Sequence, residues 1–283
     1  MMSADDNSTQ LPALFETYFT RNIKFGLSIA LEPPALICNF ILLYYLIVNP
    51  TLRRSLHHHS ILALLVVNLL TNICDTPRAI HFLHVGMIMP QTKVNCIIWQ
   101  WYDYTFYAQV NVLLSWTSIE RYILIFHGNV FNTAKRRLYF HYLPLAAIIV
   151  YLILFYIIVI FFIPCNQFDF NAILCGLPCY ASQLIISLYD NFAHNWLPLG
   201  INILLSISLV IRVFYRNRAG LQQHAQRKKH LRMVLQLLVI SSLHIASALP
   251  YSLVVFIQVV AGLPEFAAYV QNSSNTIEVE SKD

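Results

Sequence analysis

From Tyr139 to Ile163 the chain runs for 25 residues without one aspartate, glutamate, lysine or arginine. A helix of that length rises about 38 Å, more than the roughly 30 Å hydrocarbon core of a bilayer. Inside lipid every backbone N–H and C=O has to be bonded within the protein, so such a run becomes a helix. Five more apolar stretches have comparable length, at about 25–48, 57–83, 97–126, 183–214 and 231–260. The chain is 58% hydrophobic and 11% charged, whereas soluble domains carry about 25% charged residues. These patterns predict an all-α, polytopic membrane helix bundle with six complete spans. They make one domain over 25–271, between a tail at 1–24 and a polar tail at 272–283.

The net charge of +5 is not spread along the chain. Arg53 and Arg54, Lys135 to Arg137, and Arg216 to Lys229 fall in or beside alternate connections. By the positive-inside rule these connections are cytoplasmic, so the basic charge reads as topology rather than as a nucleic-acid footprint. The connections around Pro90, Asp169 and Gly262 then lie outside, as does the amino terminus, although Arg21 and Lys24 pull weakly the other way. Met1 to Gln10 is polar and lacks an apolar signal region, so the first span is expected to act as the signal anchor. The expected location is the plasma membrane, as a multi-pass protein. Asn7 and Asn272 head Asn-x-Ser/Thr triplets, and both are outside in this topology, as glycosylation acceptors should be.

Cys96, Cys165, Cys175 and Cys179 fall on the outer side, while Cys38 and Cys74 lie within spans. Outer thiols meet an oxidising compartment, and four of them allow three pairings, among which the sequence does not choose. The functional reading is a staple from the top of the third span to the loop after the fourth, with a second bridge inside that loop. Twenty-five residues after Cys96, at the inner end of the third span, stands Glu120-Arg121-Tyr122. Arg121 there is either a switch or a cation snorkelling to headgroups. Asp103 lies eighteen residues before Arg121, in the outer half of the same span. An ionisable group at that depth is costly and marks a candidate site. It would pair with a cationic ligand group in a cavity walled by Trp99, Trp101, Tyr102, Tyr104 and Tyr107, or serve as a structural acid.

Asn39 and Asn68 sit among aliphatic residues in mid-span and are expected to bond between helices. Pro33 and Pro34 beside Glu32, Pro77 beside Asp75, and Pro198 and Pro250 are expected to shape or kink their helices. His57, His58 and His59 point to different faces of a helix and read as a solvated helix start, not a metal site. No metalloprotease, nucleophile-elbow or P-loop pattern occurs, so neither enzymatic activity nor a cofactor is expected.

Together these residues resemble a rhodopsin-like (class A) G-protein-coupled receptor over about 25–271. The resemblance rests on Asn39, Cys96, Glu120-Arg121-Tyr122, Pro198 and Pro250, with Asn68 where the family usually carries Asp. Asp103 falls on the position of the amine-binding aspartate of aminergic receptors. The fourth span lacks the usual Trp, Ser247-Ala248-Leu249-Pro250 replaces Cys-Trp-x-Pro, and His230 stands where many members place an acid. The Asn-Pro-x-x-Tyr pattern and most of a seventh span are missing.

The resemblance implies a seven-transmembrane receptor fold with a truncated seventh helix, and signalling impaired by that loss. Asp103, Trp99 and Tyr107 would contact an extracellular ligand. Glu120, Arg121 and Tyr122 would form the G-protein switch. The implied partners are membrane lipid, a heterotrimeric G-protein and the outer ligand, with no nucleic acid. Two other readings are a non-signalling membrane partner of full-length receptors and a six-helix channel or transporter. Against the last stand the lack of an internal repeat, of a re-entrant loop and of an Arg-rich span.

Overall fold

The computed structural model describes residues 18–50, 57–126, 133–165 and 168–218, with Ser242, Leu243 and Ala246. Among them every regular element is helical. The first, α1, runs Tyr18–Val48 with Pro33 and Pro34 inside it. The expected second span is two helices, α2 at His57–Cys74 and α3 at Thr76–Val85. Pro77 explains the break: it sits in the first turn of α3, where its missing N–H is harmless, but it cannot continue the bonding of α2. The chain turns at Asp75, whose carbonyl accepts from Arg78 N–H at 3.0 Å and Ala79 N–H at 3.1 Å.

The longest helix is α4, Lys93–Phe126. After it come α5 at Ala134–Arg137, a π-helical turn at Leu138–Tyr142, and α6 at Leu143–Phe161. The expected fifth span is likewise divided. It comprises α7 at Leu184–Asp190, a π-helical turn at Asn191–Trp196, and α8 at Leu197–Arg218. Both π turns end just before a proline, Pro144 and Pro198. In each, the residue preceding proline bonds five residues back, Leu143 N–H to the Leu138 carbonyl and Leu197 N–H to the Phe192 carbonyl. Proline offers no N–H and crowds the carbonyl four residues behind it, and the wider turn accommodates both effects.

Three helical stretches among the described residues, Arg21–Val48, His58–Val85 (α2 and α3 together) and Lys135–Phe161, are long and apolar enough to cross a membrane. Their apolar side chains largely face outward; Ile37 and Tyr44 on α1 and Leu154 on α6 are all exposed. A bilayer is the solvent that such a surface requires. At the centre stands α4, which packs against α2, α6 and α8, while α1 packs on α2 and α3. Around it lie two apolar clusters, one on Leu113, Phe106 and Val67, the other on Ala108, Leu152 and Tyr156.

The end of the bundle where α4 begins, the outer end in the expected topology, carries two disulfides, Cys96–Cys175 and Cys165–Cys179. One fastens the start of α4 to the loop after α6, and the other lies within that loop's own length. Leu174 and Cys175 both have φ of 57°, a left-handed conformation that non-glycine residues seldom take. Gln100, buried on α4, holds them by donating to the carbonyls of Leu174 at 2.9 Å and Gly176 at 3.4 Å. The expected sixth span, 231–260, with Pro250 and His230, falls outside the described residues apart from Ser242, Leu243 and Ala246; so do Asn7 and Asn272.

Candidate functional site

At the inner end of α4, Glu120 is 1% exposed and Arg121 6% exposed. An unpaired carboxylate buried to this degree would be very costly, and Glu120 has three partners. Ser60 on α2 donates to its Oε2 and His141, in the π turn before α6, hydrogen-bonds its Oε1. Trp116 Nε1, one turn back on α4, donates to Oε1 at 3.0 Å. The His141 ring packs edge-on to His59 on α2 and to Tyr142. The Nε of Arg121 has no hydrogen-bond partner among the described residues, and Tyr122 is half-buried. Thus Glu120 is tied to α2 and to the approach of α6, and any movement of these elements relative to the inner end of α4 breaks a charge-assisted bond.

The same helix is joined to α8 and to the π turn ahead of it. Ser118 Oγ donates to Asn202 Oδ1 at 2.9 Å, and Asn111 Nδ2 donates to Asn195 Oδ1 at 2.9 Å. Polar bonds thus tie α4 to α2, to the stretch before α6 and to α8.

In the outer half, Trp99, Asp103 and Tyr107 are spaced four residues apart and therefore share one face of α4. Their surroundings depart from the expected aromatic cage. Trp101 packs on the α6 side, 6.3 Å from the Phe161 ring, and Tyr104 faces Tyr156 and Tyr180. With about 100° between successive residues, Trp101 and Tyr104 cannot face the same way as Asp103. Tyr102 stacks on Phe106 and carries the Arg78 guanidinium 5.5 Å above its ring. Trp99 is buried beneath the Cys96–Cys175 bridge, and its indole N–H is already given to Asp75 Oδ1 at 2.7 Å. Asp103 and Tyr107 are half-buried, and the Asp103 carboxylate has no hydrogen bond to any described residue.

Asn39 is buried on α1 and meets α2. With its amide oriented to satisfy both ends, it donates to the Leu65 carbonyl at 3.3 Å and accepts from Leu69 N–H at 3.2 Å. Asn68 departs from expectation. It is exposed and makes no hydrogen bond with a described residue, because it lies on a face of α2 that neither α1 nor α4 covers. Pro198 is buried behind its π turn. Cys38 and Cys74 are free thiols. Among the described residues no group of three metal-ligating side chains occurs.

A buried polar network not singled out by any motif lies between α6, α7 and the loop after α6. Asp190 Oδ1 accepts from Tyr156 Oη at 2.6 Å and pairs with His194 Nδ1 at 2.7 Å, and its Oδ2 accepts from Tyr180 Oη at 2.9 Å. The far nitrogen of His194 meets Tyr151 Oη at 2.9 Å. Burial, reinforced by the adjacent Asp190, holds the Tyr180 hydroxyl well above the usual phenol range, so it remains a donor. Asp190 and His194 stand four residues apart in an apolar stretch, and that spacing was the signal available in the sequence.

No curated protein matches the chain. The sequence model of a family described as "7 transmembrane receptor (rhodopsin family)" matches residues 38–279, most of the 283. Asn39, Cys96, Arg121 and Pro198 all fall within that match. Proteins of this family are in general receptors rather than enzymes and couple extracellular ligands to G-proteins. With an all-helical fold gathered around α4 and a family match of that extent, the chain belongs to the rhodopsin family of seven-transmembrane receptors.

Proposed function

We propose that the chain carries an extracellular ligand signal across the plasma membrane to a heterotrimeric G-protein, with Arg121 as the group the G-protein engages. The observation that carries this reading is the inner end of α4. There a buried arginine stands next to a buried glutamate that is committed to Ser60 and His141 on neighbouring elements. In the resting state these bonds hold the inner end of α4 against its neighbours. A ligand that binds more tightly to a rearranged bundle shifts the population toward it, by no more than its differential affinity. Asp103 and Tyr107, with Trp99 above them, lie on the outer face of the same helix, where ligand contact would bias the arrangement.

The test is guanine-nucleotide exchange on a panel of heterotrimeric G-proteins, stimulated by the full chain in lipid nanodiscs. Exchange above the G-protein's own rate, lost in Arg121→Ala at unchanged helicity and surface level, is the expected result. An Arg121→Ala protein as active as the parent would end the switch reading. Ion flux in reconstituted vesicles without any exchange would favour the channel instead.

A further inference from the structure

We propose that the cleft between α3 and the outer end of α4 binds a small carboxylate with an apolar body, gripped by Arg78. The cleft is a cavity of 210 Å³ bordered by Arg78 and His81 of α3, by Asn95 and Trp99 of α4, and by Phe82 and Ile88. Its polar groups divide into those already committed and two, Arg78 and the exposed His81, that make no hydrogen bond with a described residue. The Trp99 indole N–H is spent on Asp75, and the Asn95 amide N–H on the Pro90 carbonyl at 3.1 Å. Arg78 has its guanidinium over the Tyr102 ring, and Nη1 is buried without a hydrogen-bond partner. Among the described residues no acid lies within ion-pair distance of Arg78, and Asp75 attracts it from farther off.

Arg78 borders the cleft and its buried guanidinium N–H lacks an acceptor, and a planar carboxylate is the group whose geometry matches the guanidinium fork. The rest of the wall sets the remainder of the ligand. Phe82, Ile88 and Trp99 are all buried and apolar, so the body attached to the carboxylate is apolar too. At 210 Å³ the cavity is below the range of about 300–1,000 Å³ for drug-sized sites, which limits the occupant to about one ring. A free monocarboxylate and the terminal carboxylate of a peptide share this chemistry. The proposal deepens the receptor reading by naming a ligand class. Its test measures binding alone, so that it can fail or succeed independently of G-protein coupling.

Tritiated phenylacetate is titrated onto the purified full chain in nanodiscs. Expected are saturable binding, competition by unlabelled phenylacetate, and none by phenylacetamide, which has the same body without the charge. Arg78→Gln lowers the affinity by about tenfold or more, and Arg78→Lys, which keeps the charge but not the fork, lowers it less. Met89→Trp fills the rim of the cleft without touching Arg78 and abolishes binding, which covers the case that Arg78→Gln disturbs the packing on Tyr102. Tighter competition by N-acetylphenylalanine than by phenylacetate assigns the carboxylate to a peptide end; the reverse assigns it to a free acid. Equal competition by phenylacetamide, no saturable binding, or full affinity in both Arg78→Gln and Met89→Trp overturns the proposal.

Discussion

Glu120 and Arg121 are neighbours in the chain and read in sequence as an acid-arginine pair. In the structure the acid turns instead to Ser60 and His141, because successive helical residues point about 100° apart. A carboxylate so placed is coupled to two other elements, and removing one partner leaves it buried and under-bonded. His141→Phe is expected to cost about 1–3 kcal/mol of stability, seen as earlier thermal unfolding of the purified protein. By loosening the resting arrangement it should also raise ligand-free nucleotide exchange; a variant with parental unfolding and parental basal exchange would remove His141 from the switch. Gly86 gives a second test on local grounds alone. It caps α3 with φ of 82°, and a Cβ there would lie 2.4 Å from Nη1 of Arg21. The Arg21 tip can swing aside, so the left-handed backbone carries the cost, and Gly86→Ala is expected to destabilise by about 1–2 kcal/mol, again measured by thermal unfolding. Asp103 and Asn39 were visible in the sequence because a lone polar residue in an apolar run is conspicuous. Asn68 was equally conspicuous, yet it is exposed. A polar residue's type announces that it needs a partner, but the helix phase and the neighbouring element decide whether it finds one.

At the scale of elements, the outer ends of α6 and α7 are held to the second outer loop by one carboxylate. Asp190 accepts from Tyr156 and Tyr180 and pairs with His194, so its loss strands three groups while the loss of Tyr180's hydroxyl strands one oxygen. Tyr180→Phe is expected to cost about 1–3 kcal/mol, and Asp190→Ala more than that. Thermal unfolding of the two variants side by side checks the order; equal stabilities would mean that the network is not cooperative. The pairing Cys165–Cys179 lies in the same loop, so the network and the disulfide together fix the loop over α4. From sequence, apolar runs mark the approximate positions of the described helices, and proline marks the places where a helix is disturbed. The form of the disturbance was not legible. Pro77 breaks the expected second span into α2 and α3, Pro144 and Pro198 widen a turn, and Pro33 and Pro34 leave α1 continuous. The difference depends on which groups in three dimensions take up the freed carbonyls, and the partners of Asp190 are up to 34 residues away.

For the whole molecule, the surface that α1 and α6 present is apolar and outward, which is stable only against lipid. The positive-inside rule would put the basic clusters in the cytoplasm, and Lys135, Arg136 and Arg137 are exposed, as that orientation requires. The two disulfides join segments that this orientation puts outside, in the compartment where disulfides persist. The number of spans is a separate question, because the family match extends to residue 279, past the polar turn after Gln271. The two glycosylation triplets answer it. With an outside amino terminus and six spans, Asn7 and Asn272 both face the compartment where glycans are added, whereas a seventh crossing would put Asn272 inside. The residues after Gln271 include Glu278, Glu280 and Asp283 against a single Lys282, a balance that gives no pull to the cytoplasmic side. Asn7→Gln and Asn272→Gln are therefore each expected to remove one glycan-dependent gel shift from protein made in cells, and the double variant both. A shift lost only with Asn7→Gln would put the carboxyl end in the cytoplasm and the count at seven; a shift lost only with Asn272→Gln would invert the bundle and move Arg121 to the wrong side of the membrane for a G-protein.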